Sequence, residues 1–394
     1  MDIIITIVIV LLSLPALYLF LTTIAAYFFR KEENGPNHFL NIGVLIPAHN
    51  EEEGITRTVQ NVLACDYPAN RREIFVIADN CTDHTANAAR NAGATVCERT
   101  DTINRGKGQA LDWFLRNHMN LYRDTDVITI IDADTAPEIG FLREISLSLS
   151  QPRIEAVQAY NGVSNPRAGW RPGLIDAAFN VFNHLRVAGA FLLGGSCMLK
   201  GNGMAFRTKL LQSTGWPSHS IVEDMEYSLL LLQQGTSVHY NPEAVIRSEM
   251  VRSGKNASSQ RSRWEGGRFN LVAELTLPLF KRFMTTGSPQ YLVALAELVV
   301  PPLSLLVLLF LGGTILALLP GDPRWLLVPV SWWAILFFYV ASGQIQRKAP
   351  LSTWAVLLSA PLYVLWKIPI YAAMLIRKKS EAWIRTAREP DTNS

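Results

Sequence analysis

Two hydrophobic patterns divide this chain. Ile3 to Phe29 is an uncharged apolar tract, and crossing a bilayer takes about 20 such residues. Similar tracts return at Tyr291–Leu319, Trp325–Ala341 and Leu351–Ile376. Between them, from about Gly35 to Gly287, short apolar runs alternate with polar and helix-period segments, as in a soluble domain that buries a large core.

The soluble block begins with Asn41–Pro47, which reads as a buried strand. Glu73–Asp79 is a second strand, Ala94–Glu98 a third, and the β-branched run from Asp126 a fourth. Helical segments separate them, so the alternation predicts an α/β fold with a parallel sheet covered on both faces. In such sheets ligands gather beyond the carboxyl ends of the strands. His49, Glu51, Asp79, Asp132 and Asp134 all stand at those ends. Asp132 and Asp134 mark the place where the fourth strand gives way to a loop, and their oxygens suit a hard cation such as Mg²⁺ or Mn²⁺. Asp-x-Asp alone is common, and a solvated turn would explain it.

Asn50 reads as the N-cap of the helix after the first strand, with Glu51 to Glu53 in its first turn. Asn104–Leu111 opens another helix, where glycines admit backbone amides to a ligand and Lys107 is placed to meet a phosphate. The spacing is not that of a Walker loop. No G-x-G-x-x-G is present either, which counts against a dinucleotide enzyme. Past Gln151 the pattern predicts a strand over Ile154–Tyr160, an amphipathic helix over Pro172–Ala190 and a groove-lining backbone over Gly194–Arg207. Glu223 and Asp224 fall at a helix start, where acids often serve only as caps. Gln260, Arg263 and Trp264 belong to a basic helix that, out of context, reads as a membrane-surface face.

Topology follows from the tracts and their flanking charges. Asp2 is acidic and Arg30-Lys31 follow the first tract, so a retained anchor with its outgoing end in the cytoplasm is favoured over a cleaved leader. Glu297 lies inside the next tract, before Pro301-Pro302. A carboxylate is costly at bilayer depth, so crossing is expected only from about Leu298 to Leu319. Trp325–Ala341 returns the chain. Pro361, Lys367 and Pro369 interrupt the last tract, and a single crossing would export the basic Arg377–Lys379. A helical hairpin or half-buried interfacial helix is therefore expected there. The resulting division is an anchor over 1–30, a cytoplasmic domain over 40–270, interfacial helices over 271–297, a membrane region over 298–376 and a basic tail over 377–394. The expected location is the inner (plasma) membrane, with several crossings.

Composition adds limits. Lys plus Arg exceed Asp plus Glu by three, so no global basic surface for nucleic acid is implied. Cys65, Cys81, Cys97 and Cys197 show no paired metal spacing and read as core residues.

Taken in order, these stretches resemble the inverting family 2 glycosyltransferases with a GT-A (Rossmann-like) domain, and more narrowly the membrane-integrated branch of cellulose, chitin and hyaluronan synthases. The resemblance covers roughly Asn41 to Arg268. It rests on Pro47–Glu51, Asp79, Lys107, Asp132-Ala-Asp134, Glu223-Asp224 and the Q-x-x-R-W signature of Gln260, Arg263 and Trp264, the most specific element. It implies that His49, Glu51, Asp79, Lys107 and Asp132 bind the donor nucleotide, and that Asp134 with Asp132 holds Mg²⁺ or Mn²⁺. It further implies that Asp224 with Glu223 supplies the base, and that Gln260, Arg263 and Trp264 serve the acceptor and diphosphate. His49 stands where many relatives have Tyr. There are fewer membrane tracts than in the large polysaccharide synthases, and Trp383–Arg388 only loosely matches a hyaluronan-type gating segment.

The implied reaction takes a sugar from a nucleoside diphosphate donor, UDP-sugars being expected, with UDP-glucose and UDP-N-acetylglucosamine fitting equally. One base and direct displacement imply inversion. The acceptor is expected to be a growing exopolysaccharide or other cell-surface glycan, the alternative being a lipid such as ceramide, diacylglycerol or a polyprenyl carrier. A non-catalytic scaffold on the same fold would be expected to have lost Asp132, Asp134 or Asp224. All three are present.

Overall fold

A computed structural model describes residues 2–31, 39–250 and 254–376, without the side chains of 254–264 and 374–376. The basic tail, including Arg377–Lys379 and Trp383–Arg388, lies outside the described residues. The chain divides into two compact units, one containing Arg30–Ser164 and Gly195–Val251, the other Met1–Phe29, Asn165–Gly194 and Arg252–Ser380.

The first unit is built on an eight-stranded sheet. Its strands are β1 (Ile42–Ala48), β2 (Arg72–Asp79), β3 (Thr95–Arg99), β4 (Val127–Ile130), β5 (Thr135–Pro137), β6 (Ala156–Val163), β7 (Met204–Arg207) and β8 (Val238–Ser248), in spatial order β3-β2-β1-β4-β7-β6-β8-β5. The first four pair in parallel, as the alternating pattern predicts. In register, Ala48 faces Ala78 and Leu45 faces Ile130, so β1, β2 and β4 end along one edge. Alternate residues serve opposite faces. Val44, Ile46 and Val76 join a core with Ile55, Val59, Phe141 and Leu142, whose helices Glu52–Leu63 and Phe141–Leu149 cover that face. On the other face Phe75 meets Phe114 at 5.6 Å between ring centroids, within the helix Lys107–Asn117. Burial on both faces explains why these strands read as continuous apolar runs.

Beyond β4 the sheet is mixed. β7 runs antiparallel to both β4 and β6, and β6 pairs in parallel with β8. The stretch expected only as a glycine-rich groove therefore contributes a central strand, because Met204, Ala205 and Phe206 are fully buried between β4 and β6.

The second unit is helical. Asp2–Phe28, Pro323–Gln346 and Leu351–Ala373 are each long and apolar enough to cross a membrane. Pro289–Val299 and Leu303–Leu318 form a pair bent by 79° at the break carrying Pro301-Pro302. Two sequence expectations change here. Pro172–Ala190 is not one amphipathic helix of the soluble block: it is the helix Trp170–Phe179, a π-helical turn over Asn180–Leu185 and the helix Arg186–Gly194, grouped with the apolar helices. It packs there so closely that a Cβ on Gly189 would lie 2.0 Å from the Thr22 carbonyl oxygen; a small residue lets the two helix backbones touch. Of the two forms expected for Leu351–Ile376, the hairpin does not form: Leu351–Ala373 runs as one apolar helix. Pro361 falls in the first turn of the helix Ala360–Ile376, where its missing N–H costs little, and Pro369 is accommodated within that helix. Lys367 is 1% exposed and paired with Glu265. Glu297, expected to lie ahead of the crossing segment, is 4% exposed. The Tyr18 hydroxyl donates to it at 2.6 Å, and Arg186 Nε lies 3.0 Å away.

Candidate active site

The loop after β1 is fixed by the loop after β2. His49 Nδ1 donates to the Asp79 carbonyl at 2.7 Å, which assigns the ring proton to Nδ1 because a carbonyl only accepts. Asn50 is not the N-cap. Its backbone is left-handed, with φ 55°, and its Oδ1 accepts from the Thr82 amide at 2.7 Å. Glu51 holds the cap position instead, its carbonyl accepting from Ile55 N at 2.9 Å. The first amides of this helix are satisfied across the loops: Glu51 N–H donates to Thr85 Oγ1 at 2.7 Å and Glu52 N–H to Asp83 Oδ2 at 3.2 Å. Short polar side chains from one strand end thus cap the helix of another.

Asp79 is buried at the end of β2. Its Oδ1 accepts from Arg99 Nη1 at 2.6 Å and from Asn80 Nδ2 at 3.0 Å. Arg99 is itself clamped by Asp101 at 2.9 Å and by the Asn104 carbonyl at 2.6 Å. Burial raises the Asp79 pKa above the ordinary aspartate range, while Arg99 pulls against that rise. A cleft of about 400 Å³ opens beside Arg99, Asp101 and Trp113.

Asp132 and Asp134 flank Ala133, which is buried in the core, while both acids are half-buried. The Thr135 amide donates to the Asp132 carbonyl at 3.1 Å, closing the turn. The turn is also held by buried Asn202, whose Oδ1 accepts from the Asp132 amide at 3.1 Å. Its Nδ2 donates to Thr135 Oγ1 at 2.7 Å and to Ser248 Oγ at 2.9 Å.

Lys107 starts the helix Lys107–Asn117 and reaches across to β4. Its Nζ lies 2.5 Å from Asp132 Oδ1 and also donates to the Gly201 carbonyl. Burial disfavours its charge, but Asp132, Glu223 and Asp224 together hold its pKa above that of an ordinary lysine. Gly108, the next residue, has no room for a side chain: a Cβ there would sit 2.2 Å from the Ser218 carbonyl oxygen. That close approach brings the segment leading into Glu223 against the start of this helix.

Glu223 and Asp224 begin the helix Glu223–Gln233. Burial raises both their pKa values, with the Asp224 charge adding to the rise at Glu223 and Lys107 opposing it at both. Asp224 Oδ1 accepts from the Met225 amide at 2.9 Å, and Oδ2 lies beside Gly201, 3.2 Å from where a Cβ would stand. Lys107 and Gly201 therefore connect the β4 turn to the two acids.

Among the described residues, no three His, Cys, Asp or Glu side chains form a ready metal cluster. The Asp132–Asp134 turn nevertheless offers two carboxylates separated by one core residue, the hard-oxygen donor set that suits Mg²⁺ or Mn²⁺. Gln260, Arg263 and Trp264 lie on the helix Gly254–Thr286, and their side chains are outside the description. Sequence reasoning missed Arg99 and Asn202. Arg99 closes β3 as a lone arginine among exposed charges and gives no local sign of its partner. Asn202 stands between Gly201 and Gly203, and a polar residue flanked by two glycines was a usable signal.

The family model described as "Glycosyltransferase like family 2" matches residues 38–267, more than half of the chain. Beta-monoglucosyldiacylglycerol synthase of Nostoc sp. is 27% identical over 249 residues, 61% of this chain and 51% of that protein. Poly-beta-1,6-N-acetyl-D-glucosamine synthase of Staphylococcus aureus is 25% identical over 297 residues, 72% of this chain and 67% of that protein. The chain thus spans between about half and two thirds of the length of these relatives. The mannosyltransferase PcManGT from Pyrobaculum calidifontis, solved with GDP-mannose and Mn²⁺, has a TM-score of 0.55 at 19% identity, covering 94% of this chain and 95% of that one. At this identity the similarity is one of fold. With the sheet, the converging acids and the family match in agreement, the chain belongs to the glycosyltransferase-like family 2.

Proposed function

We propose that this protein is an inverting membrane glycosyltransferase that moves a sugar from a nucleoside diphosphate donor to a growing cell-surface glycan. The observation that carries the reading is Lys107, which pairs with Asp132 beyond β4 and shares a charge environment with Glu223 and Asp224. In this reading Asp134 and Asp132 hold Mg²⁺ or Mn²⁺, which when bound neutralises charge developing on the diphosphate. Lys107 adds fixed positive charge at the same place. Asp224 accepts the proton of the attacking hydroxyl, and its raised pKa makes it a stronger base than a solvated aspartate. Glu223 sets the field in which Asp224 ionises. Gln260, Arg263 and Trp264 are assigned to the acceptor and diphosphate by their signature.

The donor is proposed to be a UDP-sugar, with His49 and Glu51 lining the nucleotide side. Both hydrogen bonds to the Asp79 carboxylate fall on Oδ1. Oδ2 remains to accept from a base, which suits the single ring N–H of uracil better than the paired donors of guanine. The three long apolar helices support a multi-pass membrane protein, and the basic Arg30-Lys31 after the first tract is the ground for assigning the site to the cytoplasmic side. A second reading, transfer to a lipid hydroxyl, is favoured by the Nostoc relative, whose name specifies a diacylglycerol product. Incubating membranes that contain the protein with a panel of nucleotide sugars tests all of this. Divalent-cation-dependent UDP release that Asp224→Asn abolishes is expected, and full activity in that variant overturns the base assignment. Product length separates polymer from glycolipid.

A further inference from the structure

Six helices of the second unit converge on charged and hydroxyl side chains deep in an otherwise apolar bundle. Arg186 is 3% exposed and contacts Glu297 through Nε at 3.0 Å without hydrogen-bond alignment; its Nη1 has no hydrogen-bond partner. The fully buried Tyr339 hydroxyl lies against Arg186, whose guanidinium can donate to its oxygen, but its own O–H has no acceptor. Arg268 donates to the carbonyls of Glu297 at 2.6 Å and Val300 at 2.5 Å, capping the helix that ends at the 79° bend. Glu297, Glu265 and Arg186 all lie within electrostatic reach of Arg268, so this is one cluster. Lys367 pairs with Glu265, whose Oε2 is buried without a partner.

Among the described residues the cluster holds three cations, Arg186, Arg268 and Lys367, against two carboxylates, Glu265 and Glu297. One positive charge is left over. A buried charge without a counter-charge is strongly unfavourable, and ionisable groups on membrane helices ordinarily pair or serve a site. The orphan donors, Arg186 Nη1 and the Tyr339 hydroxyl, belong to this same cluster. Guanidinium groups match phosphoryl oxygens in geometry, and basic pockets between membrane helices bind anionic headgroups.

We propose that the Arg186–Tyr339 side of this cluster binds one phosphoryl group, the phosphodiester of an anionic lipid or a free phosphate, whose single negative charge balances the bundle. The phosphate takes its hydrogen bonds from Arg186 Nη1 and the Tyr339 hydroxyl, while Glu297 and Tyr18 hold Arg186 in place. The inference rests on the membrane reading above but not on the transfer chemistry.

The test uses the full chain purified in a neutral detergent, with thermal unfolding followed as phosphatidylglycerol, phosphatidylcholine or inorganic phosphate is added. An upward shift in Tm specific to phosphatidylglycerol is expected, lost in Arg186→Gln and Tyr339→Phe. A shift given equally by inorganic phosphate assigns the site to soluble phosphate. Equal shifts with both phospholipids and none with phosphate overturn the proposal, as does a phosphatidylglycerol-specific shift that survives Arg186→Gln. Should Arg186→Gln not fold, Tyr339→Phe and native mass spectrometry of lipid retained by the wild type decide in its place; no preferential retention of phosphatidylglycerol refutes the site. Extraction of the protein by alkaline carbonate would defeat the membrane reading separately, leaving the phosphate arm interpretable.

Discussion

Lys107 Nζ lies 2.5 Å from Asp132 Oδ1, so a residue at a helix start and one at a strand end form a half-buried ion pair beside the two acids of the next motif. The pair stabilises the ionised Asp132 and pre-positions positive charge for a diphosphate. Lys107→Met is expected to lower kcat about 10²- to 10³-fold, the usual cost of removing one preorganised electrostatic contact. Single-turnover assays on membranes check this. A change confined to KM would show that Lys107 serves binding alone.

The same lysine sets a pH limit. Asp224 must be ionised to act as base, and burial has raised its pKa while Lys107 opposes the rise. Activity should therefore fall as pH drops through that raised value. In Lys107→Met the acid limb should move to higher pH, because the opposing charge is gone. A profile of kcat against pH for both proteins decides the matter.

Glu223 carries the opposite consequence for stability. Its folded pKa is raised by burial and by the Asp224 charge, so the folded state holds its proton more tightly than the unfolded chain does. Its favourable contribution is complete below the unfolded glutamate value near 4.3 and is lost as pH rises through the folded value. Glu223→Gln is expected to raise Tm at neutral and higher pH, by about 2–4 °C per kcal/mol recovered on the scale of a domain of about 150–250 residues, while reducing activity. Measuring Tm of both proteins between pH 5 and 9 tests it; no gain at the alkaline end would refute it.

Arg99 bears on base selectivity. Replacing it by Met takes one of the two hydrogen bonds from Asp79 Oδ1, leaving that of Asn80, raises the Asp79 pKa further and adds accepting capacity on that oxygen. Binding of UDP is expected to weaken about tenfold, with the UDP-over-GDP preference narrowing. Competition of the two nucleotides against donor turnover measures both, and an unchanged ratio would remove Arg99 from the recognition of the base.

Asn202 offers a positioning test. In Asn202→Ala the Asp132 amide, Thr135 and Ser248 lose their shared partner, at about 1–3 kcal/mol for buried groups left unsatisfied. Because the Asp132–Asp134 turn is what loosens, the apparent affinity for Mn²⁺ should fall more than Tm does. A titration of activity against Mn²⁺ separates the two effects.

Local pattern alone determined the parallel half of the sheet, the helix start at Glu223, the apolar tracts and the acids at the strand ends. Those features are written in hydrophobic period and in residues that must stand at element termini. The strands β5 and β7 were not legible, since Thr135–Pro137 and Met204–Arg207 are too short to carry a period and are strands only through their neighbours. Asn50 misled because a good capping residue was used to brace a loop, its left-handed backbone being stabilised by Thr82 from another strand end. Only the tertiary structure decided that Arg99 engages Asp79, that Asn202 holds the Asp132 turn, and that Glu297 is buried with Tyr18 and Arg186. Each of these depends on a partner distant in the chain, and a single sequence records the charge of a side chain without recording which opposite charge folding will bring to it.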